Sequence, residues 1–216
     1  PPPRTRYLER DEVESVFQHL PKKTPWALRN RTLLLFLYNT GARAQEVADL
    51  KVGNLDLGDK PRVRLHGKGD KWRVCPLWKP CAQLLDELLH GTRNNPEAPV
   101  FVSRTGQPLT RFGIYKIVRR HTSPAGDFDL GPPVSPHCFR HTAAAHLLEA
   151  GVDINVIRAW LGHVSLETTN RYAEINLRMK AQALEACEPP TSVSADRPRT
   201  PKWRDDQSLL DWLKSL

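Results

Sequence analysis

The chain has little that points to a membrane or to export. No run of apolar residues approaches the ~20 residues that a membrane-spanning helix needs, and the N-terminus has no signal-peptide pattern. Cysteine is scarce, and no CxxC pair occurs among Cys75, Cys81, Cys138 and Cys187. We therefore expect a soluble cytoplasmic protein whose thiols are reduced and lie in core or surface positions.

The composition is that of one globular domain with a basic surface. The 216 residues, of which 39% are hydrophobic, are enough to enclose a substantial core, and no internal repeat is evident. The net charge of +8 suits a polyanionic partner. Many basic proteins bind no nucleic acid, so the charge alone decides little.

The hydrophobic pattern predicts a mainly helical α+β fold, a helical bundle with a small three-stranded antiparallel sheet. Helices are predicted at residues 10–20, 27–39, 44–50, 79–90 and 111–121. Strands are predicted at residues 62–66, 71–76 and 100–102. Residues 122–134 are rich in Gly, Pro and Asp and predict a surface loop.

The segment from Ser135 onward predicts a helix that carries two basic side chains near its start. Ser135 is a good N-cap, Pro136 suits the first helical position, and Gly151 supplies a stop. His137 and Arg140 are three residues apart, so they share a face near the positive end of this helix. An imidazole and a guanidinium placed there would face a phosphate readily.

Two more polar groups follow in a regular order. Residues 152–161 predict an amphipathic helix that ends at Gly162, with His163 at the turn. Ser165 then caps a short helix that has Tyr172 near its end. Taken singly, a histidine or tyrosine on a helix is usually a hydrogen-bonded packing residue. The joint order of these residues is what suggests phosphodiester chemistry.

A zinc site is an alternative for the same segment. His137 and His141 have the i, i+4 spacing of two metal ligands on one helix. The metalloprotease pattern, however, requires Glu directly after the first histidine, where this chain has Cys138. Arg140, between the two histidines, would also repel a divalent cation.

These motifs make the chain resemble the tyrosine recombinases, also called the phage integrase family. Members of that family carry a His-x-x-Arg box, a Leu-Gly-His and a nucleophilic tyrosine, which correspond here to residues 137–140, 161–163 and 172. The resemblance extends from about residue 8 to about residue 187. It implies a DNA strand-cutting enzyme and predicts two further motifs earlier in the chain.

Both further motifs are present. Thr40-Gly41-Ala42-Arg43-Ala44-Gln45-Glu46 matches the family's Thr-Gly-x-Arg-x-x-Glu, with Gly41 ending one helix and Arg43 opening the next. Alone, Arg43 would be an ordinary surface charge paired with Glu46. Residues 67–70, Gly-Lys-Gly-Asp, lie between two alternating segments and predict a hairpin with Lys68 at its tip. A lysine at such a turn is usually a solvated surface charge. The resemblance instead implies that Lys68 is a mobile proton donor.

The resemblance implies a role for each residue of the site. Arg43 and Arg140 would clamp the phosphate, His163 would donate a further hydrogen bond, and Tyr172 would be the nucleophile. His137 would accept the tyrosine proton, Lys68 would protonate the leaving oxygen, and Glu46 would orient Arg43 or His137. No metal, ATP or other cofactor is implied. A type IB topoisomerase and a non-catalytic DNA-binding regulator are the alternatives.

The expected partner is double-stranded DNA. The helix at residues 111–121 looks like the family's DNA-facing helix, and its basic residues are expected to contact phosphates: Arg111, Lys116, Arg119 and Arg120. The resemblance implies a homotetramer in the synaptic complex and a monomer when free. A DNA substrate would associate the protein with the nucleoid.

The ends of the chain differ in composition from its centre. Residues 1–8 resemble the end of an interdomain linker, because family members usually carry a separate N-terminal domain that clamps the DNA. Residues 9–187 are the predicted catalytic domain. Residues 188–216 are predicted to be a proline-rich linker followed by an amphipathic helix with Trp203, Trp212 and Leu213 on it. This helix would pack on its own domain or dock onto a neighbouring protomer.

Overall fold

The computed structural model describes residues 6–67, 69–123 and 134–162. These ranges contain seven α-helices and a three-stranded sheet, as the sequence predicts. The helices are α1 (Arg10–His19), α2 (Ala27–Thr40), α3 (Ala44–Ala48), α4 (Lys79–Leu88), α5 (Arg111–Thr122), α6 (Pro136–Glu149) and α7 (Ile154–Leu161). The strands are β1 (Leu55–Asp56), β2 (Arg62–Gly67) and β3 (Lys71–Pro76).

The helix ends that form the site lie at the residues that the sequence predicts. Gly41 ends α2 in the left-handed conformation, with φ 59°, and Gly162 ends α7 in the same way, with φ 64°. At the start of α6 the Ser135 side chain accepts a hydrogen bond from the backbone N–H of Cys138. Gly151, with φ 82°, follows the last turn of α6.

The central helices of the bundle are α2 and α6. Helix α2 packs against α4 and α6, and it is fully buried at Leu33, Leu34, Phe36 and Leu37. Burial extends around most of α6 and includes the polar residues His141, Thr142 and His146. A helix that is buried around most of its circumference places polar side chains inside the molecule, where each needs a defined partner.

One of the three predicted strands is wrong. The sheet has the order β1-β2-β3 and is antiparallel, with Leu55 opposite Val63 and Leu65 opposite Arg73. Its third strand is therefore β1 and not residues 100–102, which contribute only an isolated bridge from Val102 to Pro108. The apolar character of residues 100–102 comes from core burial of an irregular segment, and a two-residue strand such as β1 is too short to show alternation.

The predicted hairpin between β2 and β3 is confirmed. Gly69 and Asp70 have φ values of 76° and 55°, as expected in a tight turn. Lys68 itself lies outside the described residues. The predictions for residues 124–133 and for everything after residue 162, including His163, Tyr172, Cys187 and the C-terminal helix, also lie outside them.

None of the described helices is long and apolar enough to cross a membrane. Three of the four cysteines, Cys75, Cys81 and Cys138, are free and buried. Burial raises the pKa of the Cys81 thiol to about 12. The thiols of the described part of the chain are therefore protonated packing groups.

A first prediction concerns Gly41, which combines a positive φ with a close approach. A Cβ at this position would lie 2.5 Å from a methyl carbon of Leu161. Gly41→Ala is therefore expected to lower the free energy of unfolding by about 2–4 kcal/mol, since left-handed strain and overpacking add. Urea denaturation measures this change. Gly91→Ala is the matched control, because a Cβ at Gly91 meets nothing within 4 Å. Equal free energies of unfolding in the two variants would show that Gly41 is neither strained by its positive φ nor closely packed against Leu161.

Candidate active site

Arg43 lies at the junction of α2 and α3, where Glu46 holds it. Its backbone N–H donates to Glu46 Oε2 at 2.7 Å, and its Nη1 donates to Glu46 Oε1 at 3.0 Å. The Glu46 side chain is 3% exposed, whereas that of Arg43 is 39% exposed. The glutamate therefore caps α3 and directs the arginine without sharing its access to solvent.

A second arginine completes the surroundings of Glu46. Arg73 of β3 donates from Nη1 to Oε1 and from Nη2 to Oε2, both at 2.7 Å. With the two bonds from Arg43, the acceptor positions of the carboxylate are filled. Of the two partners predicted for Glu46, the structure thus provides Arg43 and not His137. Burial alone would raise the pKa of the Glu46 carboxyl, but Arg73 and then Arg43 outweigh burial and lower it below its ordinary value.

Arg140 is buried, with 2% of its surface exposed, and is anchored to two helix ends. Its Nη1 donates to the carbonyl oxygen of Gly41 at 2.6 Å, and its Nη2 donates to the carbonyl oxygen of Leu161 at 2.5 Å. These carbonyls close α2 and α7, where helix backbones leave acceptors without intrahelical partners and where the helix dipole is negative. The guanidinium is therefore fixed in position before any ligand arrives.

His137 and His141 contact each other on α6. Their Nε2 atoms are 2.9 Å apart, and their rings are nearly perpendicular. In this hydrogen bond one Nε2 carries a proton and donates, and the other Nε2 accepts. His137 is exposed while His141 is buried. Among the described residues no cluster of three or more His, Cys, Asp or Glu that could hold a metal ion is found.

One cavity of about 400 Å³ brings together the three predicted catalytic residues that lie in the described part of the chain. Arg43, His137 and Arg140 line it, with Ser135 and Pro136 at the start of α6. The site therefore joins the end of α2, the start of α3 and the first turn of α6. Gly67 and Gly162, which precede the predicted residues Lys68 and His163 in the sequence, lie next to Glu46 and Arg43. A Cβ on Gly67 would be 3.2 Å from Glu46 Oε1, and the Gly162 carbonyl accepts from Arg43 Nη2 at 3.5 Å.

The basic residues of α5 divide between two surfaces. Arg111 lines the cavity of the candidate site together with Phe112 and Tyr115. Arg119 extends this side of the helix, since its guanidinium lies 5.9 Å from the Tyr115 ring. The remaining two predicted DNA contacts, Lys116 and Arg120, line a second groove.

The second groove has a volume of about 780 Å³ and is lined by five basic residues, among other side chains: Arg29, Arg104, Lys116, Arg120 and His121. Burial, followed by the charge of Arg104, lowers the pKa of Arg29, which donates to the Val102 carbonyl at 2.9 Å. Arg29 and Arg104 were not predicted as site residues. They come from distant parts of the chain, and no local pattern marks them.

Arg73 was also not predicted, although the sequence holds a signal for it. In β3 it is in phase with the buried Cys75, and its register partner in β2 is the buried Leu65. An arginine at an inward-facing strand position predicts a buried carboxylate partner, because an unpaired charge is rarely buried.

Two guanidinium groups held by fixed partners, beside an exposed histidine at a helix start, form a site suited to a phosphate diester. The match to the phage integrase family covers residues 6–178. The chain belongs to this family, the tyrosine recombinases, and has the fold of their catalytic domain.

Named relatives are recombinases. Tyrosine recombinase XerD of Listeria innocua is 35% identical over 182 residues, which are 81% of this chain and 60% of that protein. The chain thus spans about three fifths of the length of such relatives. The XerH site-specific recombinase bound to palindromic difH substrate, in a post-cleavage complex, matches with TM-score 0.71 and 26% identity over 84% of this chain and 53% of that one. The XerA recombinase matches with TM-score 0.70 and 27% identity, over 93% and 68%.

Proposed function

We propose that the protein is a site-specific DNA recombinase that cuts and rejoins strands through a 3′-phosphotyrosyl intermediate. The observation that carries this proposal is the convergence of Arg43, His137 and Arg140 on one cavity, in a chain whose family relatives are named tyrosine recombinases. The XerH structure with bound DNA substrate supports DNA as the partner.

The arginines would stabilise the transition state of the phosphoryl transfer. Attack on a phosphodiester produces a five-coordinate phosphorus with added negative charge on its nonbridging oxygens. Arg43 and Arg140 are held by Glu46 and by helix-end carbonyls, so their charge is already oriented before attack. A preorganised donor of this kind typically contributes ~3 kcal/mol or more to the barrier when it is removed. His163 would add a further hydrogen bond.

The covalent step would balance as follows. The Tyr172 oxygen attacks phosphorus and forms a tyrosine–phosphate bond to the 3′ end, while the bond from phosphorus to the 5′ oxygen breaks. Since a free phenol has a pKa near ~10, its proton must move to a base, for which we propose His137. Lys68 would give a proton to the departing 5′ oxygen. One phosphoester replaces another, so the step is nearly thermoneutral and requires neither ATP nor a metal.

The DNA would run over both basic surfaces of α5. Arg111 and Arg119 lie on the side of the cavity, and Lys116 and Arg120 line the second groove with Arg29 and Arg104. These groups are proposed to contact phosphates, which position a protein on DNA without reading its sequence. Strand exchange between two duplexes would need four protomers, so we propose a homotetramer on synapsed DNA and a monomer when free.

A second prediction follows for salt dependence. Lys116→Gln with Arg120→Gln should weaken binding to all duplexes alike and reduce the slope of log affinity against log salt by about 2, since each phosphate contact releases about one counterion. Fluorescence anisotropy over a salt series measures the slope. Arg93→Gln is the control, because Arg93 is exposed, lies outside both grooves and pairs with Asp86. An unchanged salt slope in the double variant would mean that the second groove does not contact DNA.

The proposed function is tested by covalent capture on nicked duplexes of random sequence. A recombinase should accumulate protein–DNA adducts enriched in one sequence, and larger complexes should form when two such sites are supplied. Relaxation of supercoiled DNA by a monomer, without sequence preference, would instead indicate a topoisomerase. Binding without any adduct would indicate a regulator.

A further inference from the structure

Arg73 contacts three segments of the proposed site. Its Nη atoms grip both oxygens of Glu46, which holds Arg43, and its Nε donates to the Trp160 carbonyl at 2.8 Å. Its aliphatic part also abuts Gly162, where a Cβ would lie 3.2 Å from Arg73 Cδ. The Arg73 side chain is only 9% exposed.

Besides the helix of Glu46 and the segment of Trp160 and Gly162, the third segment is the β2–β3 hairpin, to which Arg73 itself belongs. Strand β3 pairs with β2 from Arg62–Pro76 to Gly67–Lys71, so the paired part of the hairpin, up to Gly67, has a defined position relative to Arg73. Gly67 packs directly on the Glu46 carboxylate. Gly67 and Gly162 precede Lys68 and His163 in the sequence. One side chain thus joins the helix of Arg43, the hairpin of Lys68 and the turn before His163.

We propose that Arg73 is a positioning residue that holds these three segments in one arrangement around the reacting phosphate. This inference rests on the proposed function, because it assigns Arg73 a task in that reaction. Arg73 is not proposed to touch the DNA, since its donors are directed at Glu46 and at the Trp160 carbonyl. Its effect on cleavage would pass through Glu46 and Arg43.

The charges around Glu46 make the proposal testable by pH. Arg43 faces Glu46 from its own helix, Arg73 and Cys75 face it from β3, and β2 presents the Gly67 backbone. Arg140 of α6 acts on Cys75, whose thiol stays protonated because burial raises its pKa. From α5, Arg111 and Tyr115 line the cavity that Arg43 also lines. Without Arg73, the two largest causes that lower the pKa of Glu46 are lost, so this pKa rises from its lowered value while burial is opposed by Arg43 alone.

The pH dependence of cleavage in Arg73→Gln follows from this rise in the pKa of Glu46. In the unaltered protein the lowered pKa keeps Glu46 ionised, and its ion pair with Arg43 is lost only as the pH falls through that lowered pKa. In Arg73→Gln the pKa of Glu46 is higher, so its ion pair with Arg43 should already be lost at a higher pH. The single-turnover cleavage rate is expected to fall about 10²-fold near neutral pH, as for a misplaced catalytic group. As the pH is lowered, the ratio of the variant's rate to that of the unaltered protein should fall further and show an inflection, because Glu46 takes up its proton at a higher pH in the variant.

Three comparison variants separate positioning from general damage. Arg73→Lys keeps the charge and should slow cleavage without adding the inflection. Arg73→Gln combined with Glu46→Gln should be slow but should lack the inflection, because the titrating group is gone. Arg62→Gln, in the neighbouring strand and 60% exposed, should keep the profile of the unaltered protein. A rate in Arg73→Gln that matches the unaltered protein, or that falls with no new inflection and only in proportion to lost folded protein, would overturn the proposal.

A second readout does not depend on cleavage. The NMR signal of the Glu46 carboxyl and the guanidinium signals of Arg43 report ionisation and order directly. In Arg73→Gln we expect Glu46 to titrate at higher pH and the Arg43 signals to broaden. If no protein in the series forms adducts, the proposed function fails, while these signals still decide the link from Arg73 to Arg43. Unchanged Arg43 signals would overturn the link.

Discussion

Replacing Arg140 by lysine is expected to lower the rate of strand cleavage by about 10²- to 10³-fold. The planar guanidinium donates to the Gly41 and Leu161 carbonyls at the same time, and a single ammonium cannot reproduce both directions. The substitution should also lower the free energy of unfolding by about 2–4 kcal/mol, because buried carbonyls at the ends of α2 and α7 lose a partner. Single-turnover cleavage and urea denaturation measure the two effects separately.

The matched control for this substitution is Arg93→Lys. Arg93 is 59% exposed and pairs with Asp86, so the same chemical change should leave both quantities nearly unaltered. Cleavage by Arg140→Lys at a rate close to that of Arg93→Lys would mean that Arg140 serves only to join helices. The proposed phosphate clamp would then lose one of its two members.

Tyr172→Phe is expected to abolish covalent protein–DNA adducts altogether. The change removes one oxygen atom, so DNA affinity should stay within a few-fold of that of the unaltered protein while the nucleophile is lost. Denaturing gel electrophoresis of labelled nicked duplexes measures the adduct, and anisotropy measures binding.

Tyr115→Phe is the control for the nucleophile. Tyr115 is the tyrosine that the described cavity contains, and it is 43% exposed. Its variant should still form adducts. Adducts that persist in Tyr172→Phe but disappear in Tyr115→Phe would assign the nucleophile to α5 and not to the short helix predicted after Ser165.

Features that depend on neighbouring residues in the sequence were predictable. Gly41 and Gly162 end helices because only glycine adopts the left-handed conformation without strain, and Ser135 caps α6 through a bond three residues away. The pairing of Arg43 with Glu46 has the same local origin. The helix bounds and the hairpin therefore follow from short-range patterns.

Features that depend on distant residues were not. Arg140 reaches Gly41 across 99 positions, and Arg73 reaches Glu46 across 27. The sequence showed that these residues were basic, but not that one would fix two helix ends or that the other would share a carboxylate with Arg43. The wrong third strand has a related cause, since buried irregular segments and buried strands are equally apolar.

The most direct measurement is mass spectrometry of the peptide that stays attached to DNA after cleavage of a nicked duplex. The proposal predicts a single site of attachment, a 3′-phosphoryl nucleotide on Tyr172, and a 5′-hydroxyl on the released strand. A 5′-phosphoryl linkage, attachment at another residue, or cut DNA with no attached peptide would contradict it.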